Sequence, residues 1–144
     1  MLKYIKETNL SIIPLKEGNV FHALKTTESD FQGFGEAYFS TVNFNDIKAW
    51  KKHKKMTLNI VVILGMIKFV FFDDRENSSF RGKFHEFILG PNKNYSRLTV
   101  PPGIWMGFQG SNTGENILLN IADIVHDPNE IERKELESIA YRWD

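Results

Sequence analysis

Five lysines and one histidine fall in the eight residues from Lys48 to Lys55, KAWKKHKK. A histidine set among cations has its imidazolium disfavoured, so at pH 7 it is neutral and able to accept a proton. That makes His53 a candidate general base; its other reading is a surface histidine on a solvated basic edge. Lys51, two residues earlier and on the same strand face, joins it in proton transfer if burial lowers its pKa by several units. Tyr38 sits in the alternating run EAYFSTVN and shares a face with Glu36 and Ser40. Its ring either stacks on a ligand and donates to a hydroxyl or packs in the core. Trp105, in Ile104-Trp105-Met106, either lines a cavity or fills one. Asn120 lies in ILLNIAD, where a buried amide must be hydrogen-bonded or face a wet pocket. His22, His85 and His126 carry no assigned role.

The elements that must position these groups are short strands. Two apolar runs, rich in Val, Ile and Phe, flank Leu64-Gly65, and the spacing predicts a buried antiparallel hairpin turning at Gly65. Asp73-Asp74-Arg75 is expected to lead the second strand into water. Residues 10–15 and 19–25 flank the turn signal Glu17-Gly18-Asn19 and predict an N-terminal hairpin. Further strands are predicted over 36–43, 84–89, 95–100, 104–109 and 116–123, separated by Gly-Pro-Asn and Pro-Pro-Gly corners. Asp127-Pro128 reads as the N-cap and first turn of a short C-terminal helix, with Ile131, Leu136 and Ile139 near one stripe. Many short strands at regular spacing indicate an all-β sandwich or small barrel.

Composition narrows the function classes. The chain has 144 residues, enough for one domain with one core, and 18 basic side chains cancel 18 acidic ones. Nothing in that balance attracts nucleic acid or an anionic membrane. There is no cysteine, which excludes thiolate nucleophiles and cysteine-based metal sites. The longest apolar run is far shorter than the ~20 residues that span a bilayer, and the N-terminus lacks a signal-peptide pattern. A cytoplasmic domain is the expectation.

The order of motifs carries a family resemblance. A basic entry with histidine precedes a buried segment with a central glycine ending in Asp73-Asp74-Arg75; a Pro101-Pro102-Gly103 corner precedes an aromatic strand; a late strand has a polar centre. This resembles the cupin superfamily, the double-stranded β-helix or jelly roll, and within it the dTDP-4-dehydrorhamnose 3,5-epimerases. The family's R-G-L-H entry is similar to Lys48-Ala49-Trp50-Lys51, its G-x-V-x-x-V-x-V-D-x-R run to Gly65 through Arg75, and its P-x-G-x-x-H corner to Pro101 through Met106. Its D-x-R-G-x-F segment corresponds in position to Glu17 through Phe21. The sugar-nucleotide 3,4-ketoisomerases, with H-A-H-K-K, are similar at Lys51-Lys52-His53-Lys54-Lys55.

The resemblance implies one cupin domain over 1–144, all-β, closed by a short C-terminal helix, and a homodimer. It implies an epimerase or isomerase that moves a proton beside the 4-keto group of a dTDP-linked 6-deoxy sugar in deoxysugar or surface-polysaccharide synthesis. The catalytic groups would be His53 and Lys51, the latter at the family's base position. Lys48, at the family's arginine, would meet the diphosphate, and Tyr38, Trp105 and Asn120 would complete the substrate pocket, Asn120 near the position of the family's tyrosine acid. Positions that hold metal in other cupins are Lys51, His53, Leu58 and Met106 here, so neither metal nor organic cofactor is expected. The rival expectation is a carbohydrate or nucleotide-sugar binder that kept the cavity and lost the chemistry.

Overall fold

The computed structural model describes residues 2–144. The strands in chain order are β1 (Lys6–Asn9), β2 (Ile12–Ile13), β3 (Val20–Phe21), β4 (Glu36–Thr41), β5 (Ile47–His53) and β6 (Leu58–Leu64), followed by β7 (Ile67–Phe72), β8 (Phe84–Leu89), β9 (Ser96–Val100), β10 (Trp105–Gly110), β11 (Ile117–Ala122) and β12 (Ile131–Arg133). They form two five-stranded sheets, ordered β1-β9-β6-β11-β4 and β12-β5-β10-β7-β8, with β2-β3 as a separate ribbon. Every strand pairing is antiparallel. The two sheets face each other across one core, the jelly roll that the resemblance implies.

That core takes Leu58, Ile60 and Val62 of β6, Leu98 and Val100 of β9 and Leu118 of β11 from the first sheet, and Ile67, Phe69 and Phe71 of β7 from the second. The alternate residues of β6 and β9 are buried too, under the chain that precedes β4. There Arg97 is wholly buried, donating to Asp30 Oδ2 at 3.1 Å and to the Ala23 carbonyl at 2.7 Å. Asn59 donates to the Asp30 carbonyl and accepts from Thr99 Oγ1 at 2.6 Å. Strands covered on both faces have no solvent side to encode, which is why β6 and β7 are near-continuous apolar runs.

The predicted hairpin at Gly65 is corrected by this topology. β6 and β7 do not pair; they belong to different sheets, and the chain crosses between the sheets at Gly65-Met66. Gly65 has φ +77°, and a Cβ there would come 2.2 Å from the Glu115 carbonyl oxygen, so the crossing needs glycine. Asn116 holds the corner by accepting from the Met66 amide and donating to the Val42 carbonyl. Asp73 is likewise not drawn into water. It is fully buried and receives the Arg75 amide, two Arg75 guanidinium nitrogens and the Ser78 hydroxyl, so Asp-x-Arg is a turn lock.

The C-terminal helix reduces to single 3₁₀ turns at Pro128–Glu130 and Leu136–Ser138. Asp127 does cap the first, accepting from the Asn129 amide at 2.9 Å. Beyond it Ile131–Arg133 joins β5 as a strand, because ladder pairing with β5 satisfies backbone groups that one or two isolated helical turns would leave open. The tail then covers the outer face of the second sheet, packing Ile139, Tyr141 and Trp143 against Trp50, Val70 and Trp105. Trp50 Nε1 donates to the Leu136 carbonyl at 3.1 Å. Among the described residues no helix is long and apolar enough to cross a membrane.

Candidate active site

A cavity of about 760 Å³ opens between the two sheets, bounded by β4, β6 and β11 on one wall and by β5 and β10 on the other. His53 ends β5 at this cavity and is only 7% exposed. Its backbone is pinned from the other side, because the Gly103 amide of the Pro-Pro-Gly corner donates to the His53 carbonyl at 2.7 Å. Gly103 takes φ +94°, which the two preceding prolines cannot supply.

The decisive partner of His53 is Glu130, which the sequence reading missed. Imidazole Nδ1 lies 2.5 Å from Glu130 Oε1, and Glu130 is 2% exposed. The other carboxylate oxygen, Oε2, accepts the backbone amides of Lys54, Lys55 and Met56 at 3.1, 3.0 and 3.3 Å. A carboxylate receiving that many donors is ionised. Burial pushes its pKa up, but the His53 hydrogen bond and the amides of Lys55 and Met56 outweigh it and hold Glu130 below the usual carboxylate range. Glu130 therefore accepts a hydrogen bond from Nδ1–H, which fixes the tautomer and leaves Nε2 with its lone pair free.

Burial also lowers the His53 pKa; Glu130 opposes that, and the cations Lys51 and Arg133 reinforce it. The imidazole is thus neutral at pH 7, by desolvation first and by neighbouring cations second. Lys51 lines the same cavity, and its pKa is lowered by burial, then by Arg133 and Lys48. Arg133 comes to this edge because β12 pairs with β5 in the register Ile131↔His53 and Arg133↔Lys51.

Of the residues singled out from sequence, the cavity gathers His53, Lys51, Lys48, Tyr38 and Asn120. Lys48 Nζ donates to the Thr41 carbonyl at 2.6 Å and to Ser40 Oγ at 3.4 Å, which parks it at the rim. Tyr38 and Asn120 face each other in the β4–β11 ladder and are hydrogen-bonded, Asn120 Nδ2 to the tyrosine oxygen at 3.1 Å. Trp105 is corrected: it points to the outer face, is 2% exposed, and donates from Nε1 to Asp74 Oδ2 at 2.8 Å. The ammonium groups of Lys52 and Lys134 lie 4.7 and 4.8 Å from its ring centroid. The indole does not line this cavity. The one local signal for Glu130 was its place three residues after the Asp127 cap, which marks a turn and says nothing of a partner at His53.

Chemically the arrangement can accept a proton: a neutral, oriented imidazole is backed by a buried carboxylate, with cations beside it. No protein-family model matches the chain. The crystal structure of a dTDP sugar isomerase from Desulfovibrio desulfuricans G20 superposes with a TM-score of 0.94 at 35% identity, covering 98% of this chain and 91% of that one. The dTDP-4-dehydrorhamnose 3,5-epimerase of Bacillus anthracis str. Ames, solved with TDP and PPi bound, has a TM-score of 0.83 at 19% identity over 96% of this chain and 84% of its own, a likeness of fold. A curated protein of Haloferax volcanii described as a probable low-salt glycan biosynthesis epimerase, Agl13, is 26% identical over 92 residues, 63% of this chain and 58% of that protein. The chain thus matches little more than half the length of that curated relative.

Proposed function

This chain belongs to the dTDP-sugar isomerases of the 3,5-epimerase-like cupin family, and from that membership we propose that it isomerises a dTDP-4-keto-6-deoxy sugar by proton transfer beside the ketone. The observation that carries the reading is the buried His53–Glu130 pair on the wall of the cavity. His53 Nε2 takes the proton from C3, and the C–H electron pair moves into an enolate with its charge on O4. Glu130 steadies the imidazolium that forms, as the buried carboxylate of a catalytic triad does. Lys51 meets the enolate oxygen, since an ammonium whose proton is held less tightly than an ordinary lysine's is the better donor. Lys48 and Arg133, at the rim, face the diphosphate.

The test is exchange with solvent. Incubated with dTDP-4-keto-6-deoxyglucose in heavy water, the protein is expected to place deuterium at C3, with C5 following if both centres react. A positioned base contributes ~10²- to 10⁴-fold, enough to stand clear of a buffer control. Calorimetric binding without deuterium at either carbon would instead make this a nucleotide-sugar binder.

The assembly belongs to the same reading. Phe34, Phe39 and Val125, each more than half exposed, lie on the edge strand β4 or close to it in the chain that flanks it. An apolar sheet edge of this kind suits a twofold partner. Light scattering at micromolar concentration is expected to give a dimer mass; a monomer mass would overturn the assignment.

A further inference from the structure

The cavity takes part of its wall from the stretch that follows β12, where Lys134, Glu135 and Ser138 line it next to Trp50. The ladder with β5 stops at Arg133, and the turn Leu136–Ser138 is only three residues long. A single 3₁₀ turn does not hold itself in place; its position is set by what grips it. Trp50, 1% exposed, is the grip. It exchanges two backbone hydrogen bonds of 3.1 Å with Lys134, and its Nε1 donates to the Leu136 carbonyl. The Trp50 indole is clamped in turn by Trp143 and Tyr141, whose ring centroids lie 5.5 and 6.4 Å from its own and 4.8 Å from each other. Lys68 Nζ lies 5.1 Å from the Tyr141 centroid and 5.8 Å from that of Trp143, and the Tyr141 hydroxyl donates to Glu86. Gly107 keeps the seat open, because a Cβ there would stand 3.0 Å from Trp143 Cζ2 and 2.7 Å from Ala49 Cβ.

We infer that Trp143, with Tyr141, is a latch on the outer face of the second sheet that positions the cavity wall at Glu135 and Ser138. It sets how tightly the nucleotide sugar is held and leaves the proton transfer at His53 untouched. The inference rests on the function proposed above. With the latch closed, the wall is ordered before the ligand arrives. With it open, Glu135 and Ser138 must be ordered by the ligand, and that entropy is subtracted from affinity. The Glu135 carboxylate makes no capping bond to its own turn, so nothing local fixes it instead. The base is secured separately: Glu130 holds His53 and accepts the amides of Lys54, Lys55 and Met56, all upstream of the strap. A change that weakens ground state and transition state alike raises KM and spares the saturated rate. Trp143 is thus a positioning residue and not a catalytic one.

The test reads deuterium entry at C3 of dTDP-4-keto-6-deoxyglucose across a range of substrate concentrations. Trp143→Ala is expected to raise KM by ~10-fold, the cost of ordering two side chains on binding, with the saturated rate unchanged. Trp143→Phe, which returns a ring to the seat, should recover most of the affinity. Tyr141→Leu removes one ring and should raise KM in smaller measure, so the question is still answered if Trp143→Ala does not fold. A merely structural role gives the opposite split: less folded protein lowers the saturated rate and leaves KM alone. That result would overturn the inference, and so would a KM unchanged in both variants. A saturated rate lost by Trp143→Ala, with an unchanged circular-dichroism spectrum, would tie the latch to the base and also overturn it. A wild type that exchanges no deuterium removes the underlying reading itself, a result distinguishable from each of these.

Discussion

Glu130→Gln is expected to cut turnover by roughly 10²- to 10⁴-fold, although the side chain gains no volume and touches no substrate. Three backbone amides converge on Oε2, so the glutamine oxygen must take that position. Its NH₂ then faces His53 Nδ1 and donates to it. Nδ1 becomes an acceptor, the ring proton moves to Nε2, and the atom that should accept the substrate proton no longer has a lone pair to offer. Stability should fall by ~1–3 kcal/mol, the usual cost of weakening a buried polar cluster.

The pH dependence separates this from a packing defect. In the wild type His53 has a depressed pKa, so below its ordinary value of 6.5 the unfolded chain binds a proton that the folded chain refuses. The stability it contributes is whole above 6.5 and is lost as pH falls toward its folded value. Glu130, depressed below 4.5, adds a second loss on the same acid side. In Glu130→Gln the second loss disappears, and so does the carboxylate that opposes the depression of His53, so the stability loss that begins near pH 6.5 should run to lower pH than it does in the wild type. Activity in the wild type should likewise decline on the acid side, as the base becomes protonated. An unchanged rate at neutral pH would break the link between the pair and catalysis.

What the sequence disclosed was local. Phe84–Leu89 is a strand because its alternation and the Gly90-Pro91-Asn92 turn are written within ten residues. The Asp127 cap was legible for the same reason. The partnering of β6 and β7 was not, since an apolar run covered on both faces looks the same whether its neighbour is the next strand or one much farther along the chain. Glu130 was invisible because its meaning lies 77 residues away at His53. Trp105 was misplaced because the phase of a short aromatic strand does not say which sheet face is the cavity. His53, Lys51 and Asn120, which line the cavity, stood out in the sequence because a histidine among lysines and an amide in a central strand are both costly without a reason.

The most direct measurement is deuterium entry at C3 of dTDP-4-keto-6-deoxyglucose by the wild type and by His53→Gln, side by side in heavy water. The glutamine amide can donate to Glu130 Oε1 in place of Nδ1–H, so the buried carboxylate keeps its partner and the fold is retained, as an unchanged circular-dichroism spectrum would verify. It has no basic nitrogen, so nothing remains to take the proton. The wild type is expected to exchange readily, and His53→Gln to lose at least ~10²-fold of that rate. Exchange by His53→Gln at the wild-type rate would contradict the assignment of His53 as the base.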